Sequence, residues 1–394
     1  MLRAFLEDTS KKNEIKKSLY KLVHRKGPIS KKELLSKFQV PKTTITRMIY
    51  ELEQLGLIQV SGYGEANGGR PPVLYDIVPH AGYLIGIEIA RTHMNINLFN
   101  MKIKMIMQRN YSLTKEHTPE KTMKLIEETI QDFQEKQKLS KDDLIGIGIG
   151  AVGPLDRKKG IILNPEAFLG NGWMNVPVNE ILSRTFSGKI TLNNGADMAA
   201  LAEYYFQMLD EGNILYCMNG YAIRCGYISE GRFLNNKEGD SNSYGHMIIQ
   251  PGGRKCACGN EGCLTAYASL NAIFEKLEGE RFSNKSQSEL TEDILKGLRE
   301  QDSAIQDIVM EAAYYYGIGI ANMINILHPA EVVLHGKLIY QSDDYYHKVI
   351  QTAKQYIYSR KDHVVIRKGA LGENAASIGA AVQVFYEWFD DQSF

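Results

Sequence analysis

No stretch of this sequence stays apolar for the ~18 residues that a membrane-spanning helix requires, so a helical bilayer span is excluded at the outset. The N-terminus, Met1-Leu2-Arg3-Ala4-Phe5, runs on into Glu7 and Asp8 where a secretory leader would have its apolar core, so the protein is expected to be cytoplasmic. Cysteine is scarce. There are five in 394 residues, three of them between positions 256 and 263, a pattern that suits a metal in a reducing compartment better than a disulfide framework. A net charge is missing too, with 46 basic against 46 acidic side chains, but the balance is not local. Residues 1–79 hold fourteen Lys or Arg against eight Asp or Glu, leaving thirty-two against thirty-eight in the rest. A basic end on a mildly acidic chain is the footprint of a nucleic-acid-binding module joined to something else. The length exceeds what one hydrophobic core serves, so two or three domains are expected.

What the sequence does have is a concentrated set of soft ligands. His246 is followed after nine residues by Cys256-Ala257-Cys258-Gly259-Asn260-Glu261-Gly262-Cys263. Three thiols and an imidazole, His246, Cys256, Cys258 and Cys263, make a closed tetrahedral set for a structural Zn2+, whereas a catalytic zinc keeps a position open for water. The plainer alternative is that the three are small buried hydrophobes. Against it, Cys217 and Cys225 lie outside the cluster.

The basic end has internal order. Asn13 to Arg25 places Ile15, Leu19, Leu22 and Val23 on one helical face, and Gly27-Pro28 ends it. Ser30 and Glu33 form a capping box for a second helix, Lys31 to Phe38, with Leu34, Leu35 and Phe38 inward. A third helix, Lys42 to Leu55, turns Ile45, Met48, Ile49, Leu52 and Leu55 inward and Lys42, Thr43, Thr44, Thr46 and Arg47 outward. Donors, methyl-bearing hydroxyls and cations on the first half of such a helix are what base edges and phosphates demand. Leu57–Val60 and Val73–Ile77 read as a hairpin whose tip ends in Arg70-Pro71-Pro72, an arginine presented as a narrow minor groove would receive it. The whole predicts a winged helix-turn-helix at 1–79, the alternative being a protein-interaction unit with a solvated basic face. One such module is too small for tight specific binding, so two copies on a homodimer, or a dimer of dimers, are expected to bind an inverted-repeat operator in double-stranded DNA.

From Tyr83 the pattern changes. Leu84–Ile89 and Met94–Phe99 read as a strand pair, Lys121–Lys136 as a helix, Leu144–Gly150 as a buried strand, and strands return at Ile214–Met218 and Tyr221–Ile223. This is an α/β pattern in two similar halves. Ile305–Leu327 reads as a long buried helix in which Gly317, Gly319 and Ala321 permit close packing, and the run from Gly372 starts a final helix.

Gly245-His246 followed by Cys-x-Cys-Gly-x-x-Gly-Cys resembles the signature of the ROK family, which groups sugar kinases with transcriptional repressors. The likeness extends to Gly27-Pro28-Ile29-Ser30, to Gly68-Gly69-Arg70-Pro71-Pro72, to Gly150–Asp156 and to the loop from Asn164-Pro165 to Gly172-Trp173. It implies a two-lobed actin/hexokinase-like (ribonuclease H-like) body at 80–394 with a zinc loop, lobe one at about 80–195 plus the C-terminal helix and lobe two at about 196–370.

The resemblance also implies where kinase chemistry would lie, and there the sequence departs from it. The family's Asp-x-Gly-Gly-Thr phosphate turn corresponds to Glu88-Ile89-Ala90-Arg91-Thr92, its Gly-Thr-Gly-x-Gly to Gly220-Tyr221-Ala222-Ile223-Arg224, and its Gly-Gly-Gly to His335-Gly336-Lys337. Gly195 stands where the family has its proton-accepting aspartate, and a kinase needs that carboxylate to take the proton from the attacking hydroxyl. Asp197, two residues on, is expected to cap the following helix rather than to replace the base. Of the family's sugar ligands Asn194 and His246 remain, while Ser243 and Thr265 replace two glutamates. A hydroxyl cannot fork two sugar hydroxyls as a carboxylate does, so a differently substituted sugar, weak binding and an empty pocket all stay open. Trp173 is assigned to the core. The expectation is a catalytically dead sugar-kinase-like sensor and dimerisation body on a DNA-binding transcriptional regulator of carbohydrate-metabolism genes, the runner-up being an active kinase with a DNA-binding extension.

Overall fold

A computed structural model describes the chain except for residues 66–69, 166–167, 208–211, 235–242, 278–281, 284, 359–363 and 390–394. It divides into two compact units, Met1–Met198 with Ala376–Phe394, and Ala199–Ala375. No helix among the described residues is long and apolar enough to cross a membrane.

The first unit begins with α1 (Leu2–Glu7), α2 (Lys11–Lys26), β1 (Ile29–Ser30), α3 (Lys31–Lys37), α4 (Lys42–Gln54), β2 (Ile58–Tyr63) and β3 (Val73–Ile77). Both halves of the Ser30–Glu33 capping box are made, which fixes where α3 starts. Ile45, Met48, Ile49 and Leu52 recur at helical spacing and are buried, so α4 presents one apolar stripe to its neighbours. β3 pairs antiparallel with β2, as the hairpin predicts, and on its other edge with β1, a strand that two residues are too few to announce. The hairpin tip at Ala66–Gly69 lies outside the described residues.

The chain then enters β4 (Tyr83–Ile89), β5 (His93–Asn100), β6 (Met105–Ser112), α5 (Pro119–Gln137) and β7 (Leu144–Ala151), followed by the short β8 (Leu155–Asp156), β9 (Ile161–Ile162), β10 (Val176–Pro177) and α6 (Val178–Ser183). β11 (Lys189–Asn194) completes a five-stranded sheet of order β11-β7-β4-β5-β6. β4 and β7 are parallel, β7 buried throughout and β4 from Leu84 onward, as their apolar runs require. Trp173 is buried against Phe168 and donates its indole N–H to the His117 carbonyl at 3.0 Å, a core residue.

The C-terminal helix, Ala375–Tyr386, also belongs here from Ala376 onward. A Cβ at Gly86 would overlap the carbonyl of Ser377, and one at Gly148 the carbonyl of Ala380, so helix and sheet meet backbone to backbone. The helix end receives α2. The His24 ring stacks on Phe385 at 4.0 Å between centroids, and Tyr20 meets Phe385 edge-on at 6.4 Å. Hence α2 buries Tyr20 and His24 besides Leu19 and Val23, while Ile15 and Leu22, expected inward, are only half-buried. α1, which the sequence reading did not anticipate, seats Leu2 beside Gly82 and Ile145, and Lys102 pairs with Asp76 of β3.

The second unit takes in most of α7 (Gly195–Phe206), which the division crosses after Met198, then β12 (Asn213–Asn219), β13 (Ile223–Ser229) and β14 (Arg232–Phe233). Further on come α8 (Thr265–Ala268), α9 (Leu270–Phe274), α10 (Gln287–Arg299), α11 (Ser303–Leu327), β15 (Glu331–His335), α12 (Lys337–Gln341), α13 (Asp343–Tyr356) and β16 (Val365–Lys368). Its sheet has the order β14-β13-β12-β15-β16, with β15 and β16 parallel to β12. Gly317 lets α11 close on Val349 and Thr352 of α13, and Gly319 faces Leu264, so both glycines serve packing as their sequence context suggests.

One expectation is corrected at the start of α7. Asn194, not Asp197, caps the helix, its Oδ1 accepting from the Ala196 N–H at 3.1 Å. Asp197 instead pairs with Arg157 at 3.0 Å, and burial pushes its carboxyl up to about 6 against the pull of that guanidinium.

Burial lowers the His24 imidazole to about 3, its hydrogen bond to the Met101 carbonyl only partly opposing this. The folded state therefore refuses a proton that the unfolded state binds below its ordinary value of about 6.5. Stability is fully present above that value and falls by roughly 1.4 kcal/mol per pH unit below it, until the folded value is reached. Asp197, raised to about 6, gives the opposite slope below that pH, so the His24 contribution is read as the difference between wild type and His24→Gln in urea melts between pH 7 and 5, expected to shift in the variant's favour by roughly 1.4 kcal/mol per unit as pH falls. A slope unchanged by the substitution would contradict the assignment.

Candidate metal centre and ligand-facing residues

The metal loop is built by turns that only glycine makes cheaply. Gly259 and Gly262 have φ of 92° and 83°, and the Gly259 N–H closes a turn onto the Cys256 carbonyl at 3.0 Å. Two isolated bridges, Ile248 with Cys263 and Lys255 with Glu261, fold the loop back on itself. The donor atoms of His246, Cys256, Cys258 and Cys263 then lie within 4.8 Å of one another, with His246 Nδ1 3.5 Å from Cys256 Sγ and Cys258 Sγ 3.6 Å from Cys263 Sγ. Sulfurs on a tetrahedron with ~2.3 Å metal bonds are about 3.8 Å apart, so the set fits a four-coordinate ion with little adjustment. Burial pushes the Cys263 thiol up to about 12 and raises Cys256, while the backbone N–H of Asn260 lowers Cys258. A bound cation supplies the charge that lets three crowded thiols ionise together.

The loop is held to the second unit by Arg254. Its guanidinium lies over the Tyr267 ring at 4.3 Å and pairs with Glu311 of α11 at 2.7 Å, while its N–H donates to the Tyr267 hydroxyl at 2.7 Å. Sequence reasoning did not single out Arg254, because its partners are 13 and 57 residues away.

In the same unit, His246 ends the turn Ser243–His246, and Thr265 opens α8 with its hydroxyl turned to Gly245, where an added Cβ would lie 2.5 Å from Oγ1. Thr265 Oγ1 is buried and has no hydrogen-bond partner among the described residues. Asn194 lies in the first unit as the cap of α7.

On α4 the side chains of Lys42, Thr43, Thr46 and Arg47 are exposed and Thr44 is half-exposed. The Thr46 hydroxyl donates back to the Lys42 carbonyl at 2.8 Å, so outward it offers lone pairs and a methyl. Glu51 holds Arg47 at 3.6 Å and Lys16 of α2 at 3.2 Å, which orients the arginine from below. Arg70 is exposed beside the undescribed tip. Tyr50, exposed on the same helix face, was missed, though its spacing from Thr43 and Arg47 signals it.

A family model described as "ROK family" matches residues 84–385. The chain belongs to the ROK family. It is similar to a xylose repressor of Bacillus spizizenii, 25% identical over 386 residues and covering 98% of both chains. Among solved structures it is similar to a ROK family transcriptional regulator titled a homologue of the Escherichia coli MLC protein, with a TM-score of 0.78, 23% identity and coverage of 96% and 98%. A ROK hexokinase from Thermus thermophilus matches with a TM-score of 0.66 and 25% identity, over 78% of this chain and all of that one.

The ROK landmarks can be located one by one. Glu88, next to last in β4, accepts from the Asn95 amide at 3.1 Å, and Arg91 beyond the strand is buried. Arg224 stands on β13 opposite Met218 of β12, its guanidinium 3.3 Å from Met218 Sδ. Gly336 survives for a reason of the fold: its φ is 145° and a Cβ there would overlap the Asn219 carbonyl. At Gly195 a Cβ would meet nothing closer than the Ala151 carbonyl at 3.9 Å, so packing does not demand glycine there.

Metal analysis of the purified chain is expected to find one divalent ion per chain. Cys258→Ser should lower that content and the Tm, at about 2–4 °C per kcal/mol for a unit of this size. A wild-type protein free of metal, and as stable as one given metal, would contradict the site.

Proposed function

We propose that this ROK chain is a DNA-binding transcriptional repressor of carbohydrate-metabolism genes, with a winged helix-turn-helix at 1–79 and a kinase-derived body at 80–394 that senses a sugar or sugar derivative and dimerises. The observation that carries it is the exposed row Lys42, Thr43, Thr46 and Arg47 on α4, backed by a buried stripe and followed by the β2–β3 hairpin, with exposed Arg70 between its strands. Likeness along the whole chain to a named repressor supports the same reading. In this account α4 enters the major groove, Thr43 and Arg47 meet base edges, Lys42, Thr44 and Thr46 border them, and Arg70 enters the adjacent minor groove. The lobes of the body are taken as about 80–195 with the C-terminal helix and about 196–370, in a cytoplasmic homodimer or dimer of dimers on an inverted repeat.

The metal is zinc, held structurally by His246, Cys256, Cys258 and Cys263, since a closed Cys₃His set leaves no position for a reacting water. Asn194, Ser243, His246 and Thr265 are the effector ligands. The unpartnered buried hydroxyl of Thr265 favours a sensor over a body that binds nothing, because such a group costs ~1–3 kcal/mol until a ligand or water meets it. The body is no kinase in this account: Gly195 cannot accept a proton, and Arg91 and Arg224 stand where phosphates would need glycine.

Binding-site selection with the full chain is expected to yield an inverted repeat. Arg47→Ala should relax base preference in the half-site by roughly 1–3 kcal/mol, and Arg70→Ala should instead weaken preference for an A·T-rich flank. Absence of a symmetric site, or the same base positions shifting in both variants, would refute this division. Hexoses and pentoses are expected to give no turnover of ATP in a coupled assay, and sugar-dependent ADP release would overturn that part.

A further inference from the structure

Exposed apolar surface in the first 79 residues is concentrated. Among the described residues four large apolar side chains are exposed there, Met1, Tyr50, Val60 and Tyr63, and three of them lie on α4 and β2. Tyr50 is 61% exposed. No hydrogen bond within the chain engages its hydroxyl among the described residues, so nothing in the fold accounts for an aromatic at that place.

Its position on the helix is informative. At 100° per residue Tyr50 lies about 20° from Thr43 around the axis of α4, between Thr46 and Arg47, and about 10 Å further along it. A helix that meets base edges with its first turns carries such a residue towards the far wall of a major groove about 12 Å wide. What that wall offers is sugar and phosphate. A phenol suits it: the ring covers the sugar's apolar face, and the O–H donates to an ionised oxygen, a stronger bond than one to a neutral acceptor.

We propose that Tyr50 is a DNA-backbone contact, its hydroxyl donating to a phosphate oxygen at the edge of the groove that α4 occupies. This rests on the assignment of α4 as the DNA-reading helix. A neutral donor displaces no counterion and touches no base, so Tyr50 adds affinity without changing salt dependence or sequence preference.

The test is fluorescence anisotropy with wild type, Tyr50→Phe and Tyr50→Ala on the selected operator and on a scrambled duplex, at three salt concentrations, with thermal midpoints as the folding control. Tyr50→Phe is expected to weaken binding about tenfold on both duplexes, with an unchanged salt slope and midpoint, and Tyr50→Ala at least as much. A Tyr50→Phe affinity within about twofold of wild type, less than one hydrogen bond to a charged group is worth, overturns the proposal. A loss confined to particular base substitutions overturns it as well. Wild-type protein that binds neither duplex refutes the DNA-reading role of α4 itself, which is distinguishable because the two variants then have nothing to lose.

Discussion

The close seating of the C-terminal helix on β4 and β7 is the contact on which the rest of the first unit depends. Gly86 and Gly148 are register partners on adjacent parallel strands, and the carbonyls of Ser377 and Ala380 occupy the space their side chains would take. Gly379 yields in the same way to the Met198 carbonyl, at the first turns of α7. With that helix fixed, its last turn presents Phe385 and Tyr386 to Tyr20, Lys21 and His24 of α2. The C-terminal helix thereby locates α2, against which α4 packs, with Lys16 of α2 paired to Glu51 of α4 at 3.2 Å.

This explains what sequence could and could not disclose. The capping box at Ser30, the stripe of α4, the β2–β3 hairpin and the Cys₃His spacing are written within a few residues of where they act. α1 and the second buried face of α2 answer to Gly82, Ile145 and Phe385, which local periodicity cannot see. β6 escaped because it is an edge strand, half-buried along most of its length and without clean alternation. Asp197 reads as a cap because it stands near a helix start, but its partner Arg157 is forty residues away, and Asn194 is better placed to cap.

In the second unit one residue, His246, stands in both the metal set and the proposed effector set. A metal that fixes its Nδ1 also fixes the ring plane, so the loop's stability and the precision of a ligand contact become one property. Arg254 extends that rigidity to α11 through Glu311, and Lys276 pairs with the same carboxylate. Two other glycines differ in what the fold asks of them: Gly336 stands where the Asn219 carbonyl leaves no room for a Cβ, whereas packing around Gly195 would admit one.

The central claim is that the chain represses genes by occupying DNA, and occupancy in its own cells tests it most directly. Sequencing of DNA crosslinked to the protein, alongside transcripts from cells with and without its gene, should give peaks centred on an inverted repeat beside carbohydrate-metabolism genes whose transcripts rise when the gene is removed. No enrichment over a mock sample, or transcripts that ignore the deletion at occupied sites, would contradict the account.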